Sequence, residues 1–563
     1  MSDEQITYFG IDLGTTYSAI SYIDETGRPT VVRDLINESD TMPSVVYFEG
    51  PGNAVVGQSA RAMSRVDPEN VVERVKRQMG RDREWEFFGE THNPVSISAV
   101  ILRRLAEYAK EYTQRDVEQV VITVPAYFGM LERDATRNAG VLAGLDVIGI
   151  VPEPVAAALQ YEILDGAQQK TVLVYDLGGG TFDTTVIRIT PDAIDVLCTD
   201  GDQELGGADW DDRLAQHLLQ EFVTAASPPD DPAEDAQFMQ ELYLTAEQVK
   251  RQLSQTASRT VPLRFAGASA MVTVTRETFE QITQDLLDNT VAITDRTLDK
   301  LSDKLSTADP KSAIDEVLLV GGSTKMPAVA ARISSTYGWQ PRLHDPDLAV
   351  AKGAARFALS RAVWRATDDA ETADATTRPS AEQRQERIRQ LSNLTGLDAE
   401  AIAEVSRKRI TTVLPKAFGV KLVDTDKPGW DSDPDSASYI EHLVHADDPL
   451  PSGPHHIAGG TVVDNQEELK IEVYEQAGTV ESSDLFANKP VDRGAGVITG
   501  LPPLPAGARI DLSMTVDEDG LLTVRAVEPS SGKNLTIQVR VSTIADEDIP
   551  KLRAMVSAIA VRS

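Results

Sequence analysis

The chain has 563 residues, of which 41% are apolar and 25% charged, and since one hydrophobic core stops growing near ~250–300 residues, at least two domains are expected. Acidic residues outnumber basic ones by 88 to 54, for a net charge of −34. Such a field repels phosphate backbones and anionic lipid, which weighs against nucleic acid or a membrane as the main partner. A nucleotide stays admissible, because local amides and a metal ion can oppose the global field. No apolar run approaches the ~18 residues of a membrane span. Met1-Ser2-Asp3-Glu4-Gln5 lacks the basic flank of a secretory signal. Cys198 is the only cysteine, so an intrachain disulfide is excluded and a cytoplasmic location is expected.

From Ile6 to about Ala366, apolar strands alternate with amphipathic helical stretches, an α/β signature. Strands are predicted at Tyr8–Asp12, Val120–Val124, Thr171–Asp176 and Glu316–Val320, and helices at Ser98–Tyr112, Leu131–Ala143, Asp209–Phe222, Glu277–Leu301 and Pro327–Thr336. Two segments resemble each other: Tyr8–Ile23 and Thr171–Ile189 both read strand, glycine turn, strand. That repetition suggests two similar halves facing each other. Asp368–Pro379 is polar and unpatterned, as a linker would be. Glu382–Arg409 regains helical character through Leu391, Leu394, Leu397, Ile402 and Val405. Beyond Lys416 the pattern changes to short β-rich runs, Ile471–Tyr474, Ile510–Val516, Leu521–Val527 and Leu535–Val541, with turns at Asp519-Gly520 and Ser531-Gly532. A separate β-sandwich is predicted there, followed by a helix starting at Asp546.

Three turns carry the chemistry. In Gly10-Ile11-Asp12-Leu13-Gly14-Thr15-Thr16, consecutive amides and threonine hydroxyls can cradle phosphate, and Asp12 can hold Mg²⁺ through water; an ordinary hairpin turn is the alternative. In Asp176-Leu177-Gly178-Gly179-Gly180-Thr181-Phe182-Asp183, three consecutive glycines are costly in chain entropy, and close approach to phosphates explains them. Asp176 and Asp183 then flank a metal-bound phosphate. In Gly321-Gly322-Ser323-Thr324-Lys325-Met326-Pro327, two glycines let a flat ring lie on the backbone, ahead of a helix whose N-terminus favours anionic groups. No G-x-x-x-x-G-K-[ST] sequence occurs, so phosphate binding is not of the Walker type.

In this order the turns resemble the phosphate-1, phosphate-2 and adenosine motifs of the actin, sugar-kinase and heat-shock ATPase superfamily. The chain is most similar to the 70-kDa heat-shock chaperone family, through Thr41-Met42-Pro43-Ser44, Val75-Lys76-Arg77, Ile122–Phe128, Glu153–Ala158, Leu205-Gly206-Gly207, Glu247–Ser254 and Asp345–Ala351. The resemblance implies an ATP-dependent chaperone and ATPase: an actin-like two-lobed α/β domain over 1–366, a linker with a helical insert over 367–412, a peptide-binding β-sandwich over 413–544 and a short helical tail over 545–563. It implies ATP/ADP and Mg²⁺ as cofactors. Asp12, Asp176, Asp183 and Glu153 would form the acidic cluster about the metal, and Lys76 would reach the γ-phosphate. Thr15, Thr16 and Thr181 would contact phosphate or the attacking water, beside Gly14, Gly178, Gly179, Gly180 and Gly207. Glu247, Lys250, Arg251 and Ser254 would hold ribose and adenine, with Gly321, Gly322, Ser323, Lys325, Met326 and Asp347 on the other side. Pro125 and Arg133 would relay nucleotide state.

This sequence departs from the family in several places. Gly129-Met130 replaces the usual Asn-Asp, and the leucine-rich linker has only Ile410-Thr411-Thr412-Val413-Leu414 as its equivalent. Asp424–Ser438 is inserted where the substrate loop should lie, Ala458-Gly459-Gly460 is small for a leucine pocket, and the stretch after the sandwich is expected to supply only a short helical tail in place of the family's helical lid. Gly149 and Pro152 replace an Arg and an Asn that help receive a J-domain, so a J-domain should stimulate poorly. The expected partners are hydrophobic peptide segments or one dedicated client, and a nucleotide exchange factor. An actin-like assembly ATPase and a kinase are the competing readings; the β-sandwich argues against both. His442, His445, His455 and His456 could bind a metal or be loop histidines.

Overall fold

A computed structural model describes residues 6–165, 169–365, 380–478, 480–518, 520–539, 544 and 547–562. The proposed linker at 368–379, Asp519 and the predicted helix start at 546 lie outside these residues. The chain divides into two compact units. The first holds Met1–Ala126, Ala135–Ile410 and Ile544–Ser563; the second holds Tyr127–Asp134 and Thr411–Thr543.

The first unit is built on two six-stranded sheets of matching design. In one, Phe9–Asp12 runs antiparallel to Tyr17–Ile23 and parallel to Gln119–Val124. In the other, Lys170–Leu177 runs antiparallel to Phe182–Ile189 and parallel to Glu316–Val320. Val172, Leu173, Val174 and Tyr175 are consecutive and all buried, as strands covered on both faces must be. Pairing of Asp12 with Ala19 and of Leu177 with Phe182 leaves the two glycine turns as the loops at the strand ends. These are the carboxyl ends of the strands with parallel neighbours, where open α/β sheets place their ligands.

Three elements differ from the sequence expectation. The single helix predicted over Glu277–Leu301 is two, Arg276–Ile282 and Gln284–Leu305. At the break, the Thr283 hydroxyl donates to the Phe279 carbonyl at 2.8 Å, the back-bonding by which threonine bends a helix. The insert is a hairpin of helices, Ala381–Thr395 and Ala399–Ser406, started by a Ser380 capping box and turned at Gly396. It packs on the helix Ala349–Arg365 through buried residues that include Ile402, while Leu394 of the predicted stripe is half exposed. After the short helix Ile549–Ala558, Ala560–Arg562 forms a strand parallel to Asn53–Val55, so the tail is not simply helical.

In the second unit, two four-stranded antiparallel sheets form a sandwich. Ser438–Val444, Phe418–Val423, Glu468–Gln476 and Asn488–Thr499 make one. Ser452–Gly460, Arg509–Val516, Leu522–Val527 and Asn534–Val539 make the other. Arg509–Val516 alternates exposed or half-exposed with buried positions, and Ile510, Leu512, Met514 and Val516 reach the core. The inserted segment at 424–438 folds back on its own sheet: the Asp424 amide donates to the Ala437 carbonyl at 3.0 Å, and Lys421 pairs with Asp435 at 2.5 Å.

Candidate active site

The two hairpin loops face one another across a cavity of about 410 Å³ in the first unit. Gly14, Thr15 and Thr16 line it from one side and Gly178, Gly179 and Thr181 from the other. A Cβ on Gly179 would collide with the Thr16 side chain, and one on Gly180 with Thr15. Glycine is therefore required for the loops to close on each other, independently of any ligand. The second loop is fixed from behind. The Gly207 amide donates to Gly178 O at 2.9 Å and the Ala208 amide to Gly179 O at 2.8 Å, both from the start of the helix Gly207–Ala226.

At the floor sit Asp12, Glu153, Asp176 and Lys76, all lining the cavity. Lys76, in the 3₁₀ turn Val75–Gln78, is 4% exposed and donates to Glu153 Oε1 at 2.5 Å. Thr123 donates to Asp12 Oδ1 at 3.1 Å. Asp183 pairs with Asp176 across the hairpin and is buried behind the cavity lining, as is Gly180. Burial, reinforced by Glu153, raises the Asp12 pKa to about 7 against the pull of Lys76. Burial also raises Asp176 well above the usual range, with Glu153, Asp183 and Asp12 adding to it. For Lys76, burial is the largest influence and opposes its charge, but Glu153, Asp12 and Asp176 together overcome it and lift the pKa. The cluster has more negative charge than one ammonium balances. A hydrated divalent cation supplies the kind of charge these side chains lack, so the donor set fits Mg²⁺.

Glu247, Lys250, Arg251 and Ser254 lie at helical spacing on one face at the end of Ala236–Leu253 and line the opposite end of the cavity. Gly321, Gly322, Ser323, Lys325 and Met326 line it from the turn after Glu316–Val320, with Asp347 alongside and Gly207 between them and the second hairpin loop. Ser323 donates to Gly178 O at 2.9 Å, and Lys325 pairs with Asp347. Lys250 is buried, donating to Gly207 O at 2.7 Å and Asp211 at 2.8 Å.

Sequence reasoning missed several parts of this site. Asp211 holds Lys250, and burial raises its pKa against that lysine's charge. Tyr17 meets Glu247 and Arg61, and Arg61 pairs with Glu247. Arg77 donates to Gly180 O at 2.8 Å and pairs with Asp209 at 2.5 Å, tying the Lys76 turn to the second hairpin loop. Only the position of Arg77 beside Lys76 hinted at this. The histidines stand apart, in the sandwich: His442 meets Asn488 at 3.1 Å, His445 Glu481 at 2.8 Å and His455 Ser452 at 3.0 Å. Among the described residues no group of three or more metal-ligating side chains is placed to hold an ion directly.

Twin sheets with facing glycine hairpins over a buried acidic floor define an actin-like two-lobed ATPase domain, here joined to a β-sandwich. The model of the family described as Hsp70 protein matches residues 8–371 and 439–561. The protein named Chaperone protein DnaK of Halobacterium salinarum is 33% identical over 564 residues, covering 98% of this chain and 78% of the relative. Chaperone protein DnaK of Thermotoga neapolitana is 31% identical over 562 residues, covering 98% and 83%, and that of Thermotoga petrophila 31% over 548, covering 96% and 81%. The chain belongs to the Hsp70 family and is an ATP-dependent molecular chaperone with ATPase activity. No described helix is long and apolar enough to cross a membrane.

Proposed function

We propose that ATP lies across the cavity with its phosphates between the two hairpin loops and its adenosine between Glu247–Ser254 and Gly321–Met326. The single observation that carries this is one cavity lined by both glycine loops, the acidic floor and both flanking turns. Loop amides and the hydroxyls of Thr15 and Thr16 bind the phosphate oxygens. Asp12, Asp176 and Asp183 would hold Mg²⁺ through water; when bound, the ion neutralises charge on the phosphates. Glu153 keeps Lys76 charged, and Lys76 places that charge where it develops on the γ-phosphate. Thr181 orients the attacking water. Lys250, held by Asp211 and Gly207 O, presents a fixed charge at the ribose end, and Met326 covers the ring.

The nucleotide state controls the sandwich's hold on a hydrophobic peptide segment or a dedicated client met through 424–438. A nucleotide exchange factor serves the site, and a generic J-domain stimulates it weakly, given Gly149 and Pro152. The reading places the protein in the cytoplasm, in keeping with the lone, buried Cys198. Phosphate release from ATP and GTP, with magnesium and with chelator, tests the core of this proposal. Slow, magnesium-dependent release from ATP is expected. Equal turnover of GTP, or turnover indifferent to chelator, would refute it.

A further inference from the structure

The second unit includes a stretch taken from the middle of the first unit's sequence, Tyr127–Asp134. Met130, 5% exposed, belongs to the sandwich core together with Phe418, Val473 and Leu522, and Leu131 packs against that core. Gly520 sits under the thioether at φ +86, and a Cβ there would strike the Met130 methyl. Gly520 thus adopts a backbone shape that side chains disfavour and leaves the hollow that Met130 fills.

Next to this plug lies Glu475, on Glu468–Gln476, 8% exposed. One of its carboxylate oxygens, Oε1, has no hydrogen-bond partner. The charged groups facing it are Lys416, ahead of Phe418–Val423, Glu132 on the inserted stretch and Lys489, its cross-strand neighbour; the Met130 amide donates to it. Glu475, Glu132 and Lys416 converge on Gly129. The position of a Cβ there would be 2.8 Å from Glu132 Oε2, 3.1 Å from Glu475 Oε1 and 3.4 Å from Lys416 Nζ. Burial raises the Glu475 pKa to about 7, with Lys416 opposing and Glu132 adding.

We infer that Met130 and Glu475 form a pH-sensitive clasp by which the second unit grips Tyr127–Asp134, tight while Glu475 is protonated and loose once it ionises. The grip closes the carboxyl away from water, where the neutral form is favoured. Opened to water, the same group titrates in the ordinary carboxylate range, at roughly 4.3. The closed state therefore binds the proton more tightly than the open one. Its advantage is full below the open-state pKa and is lost as pH rises through about 7. Ala126 and Ala135, the flanks of the stretch, belong to the first unit, so the clasp sets how firmly a segment of the ATPase sequence is held in the sandwich. This inference stands apart from the nucleotide mechanism proposed above.

Amide hydrogen exchange at 128–133 in the full chain, corrected for the intrinsic pH dependence of exchange, tests it between about pH 5.5 and about pH 8.5. Wild-type protection should fall at least ~10-fold from the low end of that range and level off above about pH 7. Glu475→Gln, which mimics the protonated form, should keep the segment protected at both ends of the range. Met130→Ala should lower protection throughout without moving the pH at which it levels off. Flat wild-type protection, an unchanged slope in Glu475→Gln, or full protection in Met130→Ala would each overturn the clasp. Should a variant not fold, the carboxyl ¹³C shift of Glu475 in the wild type decides: a midpoint near 7 supports the clasp, and titration in the ordinary carboxylate range refutes it.

Discussion

On the proposed reading, Lys76 is a charge prepared before the substrate arrives. It is buried against Glu153 with Asp12 and Asp176 nearby, a setting in which an isolated ammonium would lose its proton. The surrounding carboxylates keep it charged. Replacing it with alanine removes the ammonium that opposes the cluster and takes Glu153 out of its buried pair, at a cost to the ligand-free protein of about 3–5 kcal/mol by the usual measure for breaking a buried pair. Turnover of Lys76→Ala should fall ~100- to 1,000-fold, the loss typical of one donor to a developing charge. Binding of ATP with magnesium should survive, because loop amides and the adenosine end supply ground-state contacts. Calorimetric titration alongside phosphate release separates the two; undiminished turnover would take Lys76 out of the mechanism.

Local signals fixed the hairpins and strands in the sequence and left the long-range joins illegible. Asp12, Gly178–Gly180 and Gly321 announce themselves through unusual residue types at strand ends, and the sandwich through alternation such as Ile510, Leu512, Met514 and Val516. Arg77 carries no such mark: its partners Gly180 and Asp209 lie more than a hundred positions away. The tail is the extreme case. Ala560–Arg562 is too short to show a period, and its partner Asn53–Val55 is some five hundred positions distant. Its docking rests on Val556 and Ile559, both buried, and on Arg103, which donates to the Val556 carbonyl and to Ile559 O at 3.0 Å. Charged hydrogen bonds of this kind contribute about 1.5–3 kcal/mol each. Arg103→Ala should therefore raise exchange at 53–56 by ~10-fold or more, with ATP turnover unaltered. Unchanged exchange would mean the apolar contacts suffice to hold the tail.

The sandwich sequence interrupts the first unit, which resumes at Ile544, so the two units are joined by chain on either side of Thr411–Thr543. Each nevertheless has its own apolar core: Tyr175, Phe182, Trp210 and Leu214 are among the residues of one, and Phe418, Leu512 and Val524 of the other. Separate cores permit separate melting. The cavity proposed to take the nucleotide is lined wholly by first-unit residues, and a ligand stabilises only the state that binds it. ADP at a hundredfold excess over its dissociation constant should stabilise the first unit by about 2.7 kcal/mol. Scanning calorimetry should then show two transitions, of which the nucleotide raises one and leaves the other in place. The unmoved transition should be the one reported by exchange at Arg509–Val516. A net charge of −34 disfavours compactness in both units through self-repulsion, so added salt should raise both transitions, in contrast to the selective action of ADP. A single transition that ADP shifts as a whole would show that the units unfold as one cooperative body, joined more tightly than their separate cores imply.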